Sequence, residues 1–153
     1  MTLPESFQMF LMESKQHTYA SGNGITDPIF PDSVQLEFSK GDLLYRDIYF
    51  GSSHFVGQET VFLKNTPIWS MAYSGGLIKS GTDKDQVYMF LREALMHPNA
   101  ELPIRGPDRH QRGDLEYENL ITGTMEMFHG FERILKNRVT IYLLHYSGGS
   151  IIP

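Results

Sequence analysis

Apolar residues recur along the chain at two different periods. Val87, Phe90, Leu91, Ala94 and Leu95 stand at i, i+3, i+4, i+7 and i+8, one face of a helix that Pro98 stops. Phe7, Phe10 and Leu11 begin the same spacing near the N-terminus. They follow Thr2-Leu3-Pro4-Glu5, which reads as a capping box: a Thr cap, Pro in the first turn and Glu three residues after the cap. Thr82, Lys84 and Asp85 repeat the device ahead of the second stripe. Other apolar runs alternate. Segments 43–50, 54–63 and 68–73 are parted by Gly51-Ser52-Ser53 and Lys64-Asn65-Thr66-Pro67, and 115–121, 127–135 and 140–146 follow later. Val34, Leu36 and Phe38 add one short strand before the first set, with no evident counterpart before the second. Connections this short make meanders, so the pattern predicts an α+β fold of antiparallel meander sheets with one helix packed on each.

The two strand sets match in order. Gly41-Asp42 recurs as Gly113-Asp114, and the same alignment pairs Tyr45 with Tyr117, Asp47 with Asn119 and Gly51 with Gly123. After one extra residue behind Gly123, Phe55 meets Phe128, Gly57 meets Gly130, Glu59 meets Glu132 and Val61 meets Ile134. Leu63-Lys64-Asn65 returns as Leu135-Lys136-Asn137, Trp69 meets Tyr142, and both sets close on Tyr-Ser-Gly-Gly, at 73–76 and 146–149. So many matches in one order predict an internal duplication: a single domain, 1–153, of α-β-β-β units at 1–76 and 82–149.

Alternation also assigns faces. Asp114, Glu116 and Glu118 mark the wet side of their strand, which turns Leu115, Tyr117, Asn119 and Ile121 inward, and by the duplication Leu43, Tyr45, Asp47 and Tyr49 too. In the next strand Phe55, Gly57, Glu59 and Val61 share a face, and the copy has Phe128, Gly130, Glu132 and Ile134. A glutamate thus interrupts an apolar face at both equivalent positions. An unpaired buried carboxylate costs several kcal/mol, so each must be partnered, protonated or turned to a wet cavity. In one reading Tyr hydroxyls or backbone groups bond them, or bulges near Gly57 and Gly130 draw them out. In the other, Glu59 and Glu132 join Tyr45, Trp69, Tyr73, Tyr117, Tyr142 and Tyr146, with Asp47 and Asn119, around a small-molecule site between the units. Carboxylates among aromatic rings favour a cationic or aromatic ligand. Arg105, held between Pro103 and Gly106-Pro107, could reach an inward carboxylate and hold it ionised, or could equally be an exposed loop arginine.

Composition narrows the function classes. The 153 residues are 41% hydrophobic and 12% aromatic, enough for a core, and contain no cysteine, so the fold rests on packing without disulfides or thiolate metal sites. A net charge of -5 opposes phosphate and argues against direct nucleic-acid binding. Glu5 falls too early for a signal peptide, and no apolar run approaches a membrane span of about 18 residues, so a soluble, cytoplasmic protein is expected. The histidines at 17, 54, 97, 110, 129 and 145 show no HxH or HExxH spacing, and no GxSxG, GxGxxG or GxxxxGK run is present. Neither metal nor cofactor is expected. His145 falls on the face opposite Tyr142 and Tyr146. Paired glutamates could run a glycosidase-type hydrolysis, but duplicated environments do not drive two pKa values apart, which leaves hydrolysis as the runner-up. A purely structural or protein-interaction domain would instead show a solid core and an exposed apolar patch. The segment His17–Ser33, rich in Gly, Pro, Ser and Asp, could lie over a cavity mouth or equally be a mobile connection, and Asp108–Asp114 reads as solvated surface. Exposed sheet edges would allow a homodimer.

The runs GDLLYRDIYFG, FVGQE, NTPIWSMAYSGG, PIRGP, GDLEYEN and the closing HYSGG resemble a bacterial family of domains of unknown function. Its members occur alone and behind helix-turn-helix segments in XRE-type transcriptional regulators, and the resemblance spans about Phe7 to Gly149. The duplicated unit also looks like the effector-binding domains of some bacterial regulators. That likeness implies a ligand cavity between the repeats with a central Glu on its wall.

Overall fold

Two hairpins are closed by paired residues of left-handed backbone. Lys64 and Asn65 have φ of 48° and 68°, and Asn137 and Arg138 have 50° and 68°. Such two-residue turns match the twist of the strands they join. The computed structural model describes residues 3–152. In chain order the elements are α1 (Phe7–His17), β1 (Ile25–Thr26), β2 (Val34–Lys40), β3 (Leu43–Gly51), β4 (His54–Leu63), β5 (Thr66–Leu77), α2 (Lys84–Leu95), β6 (Arg109–Arg112), β7 (Leu115–Thr124), β8 (Met127–Lys136) and β9 (Val139–Ser150).

The class is α+β, but the meanders are not separate sheets. All strands are antiparallel in one nine-stranded sheet of order β1-β2-β3-β4-β5-β9-β8-β7-β6. The Ser-Gly-Gly triplets, expected to end strands, lie at this join. β5 and β9 run on through them and pair, with Met71 opposite Gly148 and Gly75 opposite Leu144. A Cβ on Gly75 would sit 2.2 Å from Leu143 O, and one on Gly148 would sit 2.3 Å from Ser70 O. Only glycine admits so close an approach of backbones. Gly75→Ala is therefore expected to destabilise the fold by about 1–3 kcal/mol through overpacking. Urea unfolding checks this, and an unchanged midpoint would contradict it.

Both helices contribute apolar faces to one buried cluster. The face of α2 is the expected one: Val87, Phe90, Leu91, Ala94 and Leu95 are buried. Its cap differs, because Asp83 accepts from the Gln86 N–H at 3.1 Å whereas Thr82 Oγ1 donates to Lys79 O. An acceptor at N-cap takes the N–H three residues on, and Asp83 holds that position. α1 buries Phe7, Phe10, Leu11, Ser14 and Lys15, and its N-cap Ser6 makes no side-chain cap bond. The expected Thr2 cap lies outside the described residues. At the sheet's centre Trp69 is fully buried, stacked on Phe128 with ring centroids 5.7 Å apart.

β6 is the counterpart to β2 that the hydrophobic pattern does not reveal. Its four residues, Arg-His-Gln-Arg, pair with β7 through the backbone and carry no apolar side chain. The register shifts fall between Val61 and Phe62 and between Ile134 and Leu135, beyond the glutamates rather than at Gly57 and Gly130. Glu59 and Glu132 consequently keep their inward alternation. The edge strands β1 and β6 are short, which limits pairing with another chain.

Candidate functional site

The two glutamates sit at matching places on strand pairs either side of β5 and β9: Asp47 faces Glu59 across β3 and β4, and Asn119 faces Glu132 across β7 and β8. Glu132 is 0% exposed and every oxygen is occupied. Arg105 donates to it twice, from Nε at 3.1 Å and Nη2 at 2.6 Å, and the hydroxyls of Tyr117 and Tyr142 donate at 2.6 and 2.9 Å. Glu59 takes Lys15 Nζ at 2.5 Å, with Arg105 Nη1 3.9 Å away. Burial pushes the Lys15 ammonium below its ordinary value, while Glu59 opposes that loss. Arg105, itself 6% exposed, thus links the carboxylates of both halves. An arginine suits this place because its planar fork stays charged and binds a carboxylate with two parallel bonds.

Asp47 forms no such ion pair among the described residues, and the Lys15 and Arg105 charges only partly offset what raises its pKa. Its Oδ1 accepts from the Tyr73 hydroxyl at 2.6 Å. Burial first, and then the nearby Glu59 charge, raise its pKa from 3.8 to about 7. Asn119 makes the same bond from Tyr146 at 2.6 Å without a charge to bury.

Asp47 borders a cavity of about 290 Å³ between the sheet and α2. Tyr49, Phe55 and Tyr73 supply strand-borne rings, α2 adds Tyr88, Arg92 and Lys84, and Tyr19 and Arg105 complete the wall. Phe55 is the hub of the rings, 6.0–6.2 Å from Tyr49, Tyr73 and Tyr88 in edge-on geometry. The Tyr88 hydroxyl is fixed by the Ser52 and Ser53 carbonyls at 2.7 and 3.1 Å.

Of the residues expected around a ligand, Asp47, Tyr73 and Arg105 line this cavity. Tyr45 and Glu59 border only a recess of about 10 Å³, no roomier than one water. Trp69, Tyr117, Glu132 and Tyr142 are fully buried in the packed core, and Asn119 and Tyr146 bond one another away from the cavity. The site is thus one-sided, not shared equally between the halves. The reason is the segment 103–106, which fills the second half's equivalent space: Ile104 is fully buried, Gly106 N donates to the Tyr117 hydroxyl at 3.0 Å, and Asn119 Nδ2 donates to Gly106 O at 3.2 Å. With Glu132 sealed in this way, no substrate can pass between it and Glu59 as glycosidase-type hydrolysis requires.

Tyr19, Tyr49, Phe55, Tyr88 and Arg92 are cavity residues absent from the expected set. Tyr49 and Phe55 carried a signal, being inward by alternation. Tyr88 and Arg92 lie on the edge of the α2 stripe, and nothing local marks Tyr19. Of the 17–33 segment, Tyr19 reaches the cavity, whereas Ile29 and Phe30 border a groove on the other face of the sheet with Phe50 and Val56. His145 is exposed, as its face requires. Among the described residues, no group of three or more His, Asp or Glu side chains could hold a metal ion, and no helix is long and apolar enough to cross a membrane.

The fold and site define an α+β domain with an aromatic-walled cavity and buried acidic residues. A family described as a domain of unknown function (DUF5680) matches residues 47–151, and the chain belongs to that family. The match takes in β4 to β9 and most of β3, and begins after α1. No curated protein and no solved structure matches the chain.

Proposed function

We propose that this chain is a small-molecule-binding module whose ligand occupies the cavity walled by Asp47, Tyr49, Phe55, Tyr73 and Tyr88. The observation that carries the reading is Asp47. A buried carboxyl held in no ion pair weakens the fold, and at the matching position Asn119 makes the same tyrosine bond at no such cost. A destabilising group kept on the wall of a cavity marks a site shaped by binding, since activity is where folds give up stability. In this reading the halves arose by duplication of one unit, and the ligand site survives on one side because the 103–106 segment closed the other. The resemblance to domains that follow helix-turn-helix segments extends the proposal: ligand occupancy would serve as an effector signal for a DNA-binding partner.

A thermal-shift screen of one- and two-ring aromatic compounds tests the reading. A ligand at 100 times its Kd adds about 2.7 kcal/mol, or about 5–10 °C in Tm for a chain of this size. Val34→Trp places an indole in the cavity from β2, and hits should lose their shift in that variant. Shifts that persist in a folded Val34→Trp protein, or a screen without hits, would overturn the proposal.

A further inference from the structure

We infer that the ligand is an aromatic acid carrying one negative charge, its ring against Tyr49, Phe55 and Tyr73 and its acid group toward Arg92 and Lys84. The inference rests on the cavity being a ligand site and specifies what that site takes. The charge balance of the wall decides the sign. Lys15 with Glu59 and Arg105 with Glu132 form closed pairs, so neither glutamate offers a free negative charge to a ligand. Lys84 and Arg92 border the same cavity, both exposed, and neither belongs to an ion pair among the described residues. Asp47 is the one carboxyl on the wall, and it stands against three cationic side chains there.

The aromatic wall reinforces that sign. A ligand cation would seek the face of a ring, but the Arg105 guanidinium already lies 5.9 Å from the Tyr73 centroid and would repel it. A ligand ring meets no such penalty, because Phe55 and its edge-on neighbours present apolar surface. Size sets the scale. A cavity of about 150 Å³ holds benzene, and the 290 Å³ here suits a two-ring acid. Asp47 fits this ligand as a hydrogen-bond donor: with Oδ1 taken by Tyr73, a proton on Oδ2 would point to the ligand. Asn in its place keeps a donor, whereas Leu removes it.

Isothermal titration at pH 7 with 2-naphthoate, 2-naphthylmethanol and 2-naphthylmethylamine separates the charges on one scaffold. The expected order is the acid about tenfold tighter than the alcohol, with the protonated amine weakest. The double variant Lys84→Gln/Arg92→Gln should erase most of the acid's advantage. Asp47→Asn should retain naphthoate binding and Asp47→Leu should weaken it. Tightest binding by the amine, its loss in Asp47→Asn, or an acid-to-alcohol ratio unmoved by the double variant would overturn the anionic class. Those results would leave the cavity reading intact so long as Val34→Trp still blocks the alcohol. Silence from all three compounds would overturn the cavity reading and the inference together.

Discussion

Arg105→Met is expected to cost about 3–5 kcal/mol of folding stability, because breaking a buried pair strands its partner charge. Glu132 is 0% exposed and would keep only the two tyrosine hydroxyls for a full negative charge, while Glu59 would lose the guanidinium 3.9 Å away. For a chain of this length the loss corresponds to a Tm lower by about 6–20 °C, read by calorimetry or by circular dichroism melts. A second substitution separates charge from packing. Arg105→Met/Glu132→Met leaves no stranded carboxylate and should recover a large part of the loss, as apolar replacement of a buried pair is often near neutral. Arg105→Met within 1 kcal/mol of the parent would show that the network is not what holds the halves together.

Asp47→Asn should do the opposite and stabilise the protein, by about 2–4 kcal/mol at pH 8. The sign follows from the direction of the shift. The Asp47 pKa is raised from 3.8 unfolded to about 7 folded, by burial and then by Glu59. A group raised in this way binds its proton more tightly when folded, so its favourable contribution is complete below 3.8 and is lost as pH rises through about 7. Above that pH the parent bears the whole penalty and the asparagine variant bears none. The advantage of Asp47→Asn should therefore grow from pH 4 to 7 and then level off in urea unfolding at a series of pH values. The Tyr73 bond survives the change, as the Tyr146–Asn119 bond at 2.6 Å illustrates. A variant less stable than the parent at pH 8 would refute the strained carboxyl on which the binding proposal depends.

The sequence carried the faces of the strands well because alternation is a backbone property that few contexts override. Tyr45, Asp47, Glu59, Tyr117, Asn119 and Glu132 all face inward as their neighbours' polarity requires. The α2 stripe was equally legible, since every one of its five apolar positions is buried. The join of the meanders was not, because Gly-Gly carries a turn signal, and only the pairing of β5 with β9 makes it a close approach of two backbones. β6 was hidden because an edge strand held by backbone bonds needs no apolar side chain. The site was half legible for a related reason. Each inward carboxylate demanded a partner, and Arg105 was a candidate from its rigid Pro-flanked segment. Which half stayed open depended on how residues 103–106 pack against Tyr117 and Asn119, and no periodicity encodes that. Tyr19 and Tyr88 enter the cavity through tertiary placement alone.

The most direct test is a crystal structure of the protein grown with 2-naphthoate. Ring density between Phe55 and the side chains of Tyr49, Tyr73 and Tyr88, with the carboxylate directed to Arg92, is the predicted result. A cavity closed by its own side chains, with the compound absent or seated on the opposite face of the sheet beside Phe50 and Val56, would contradict it.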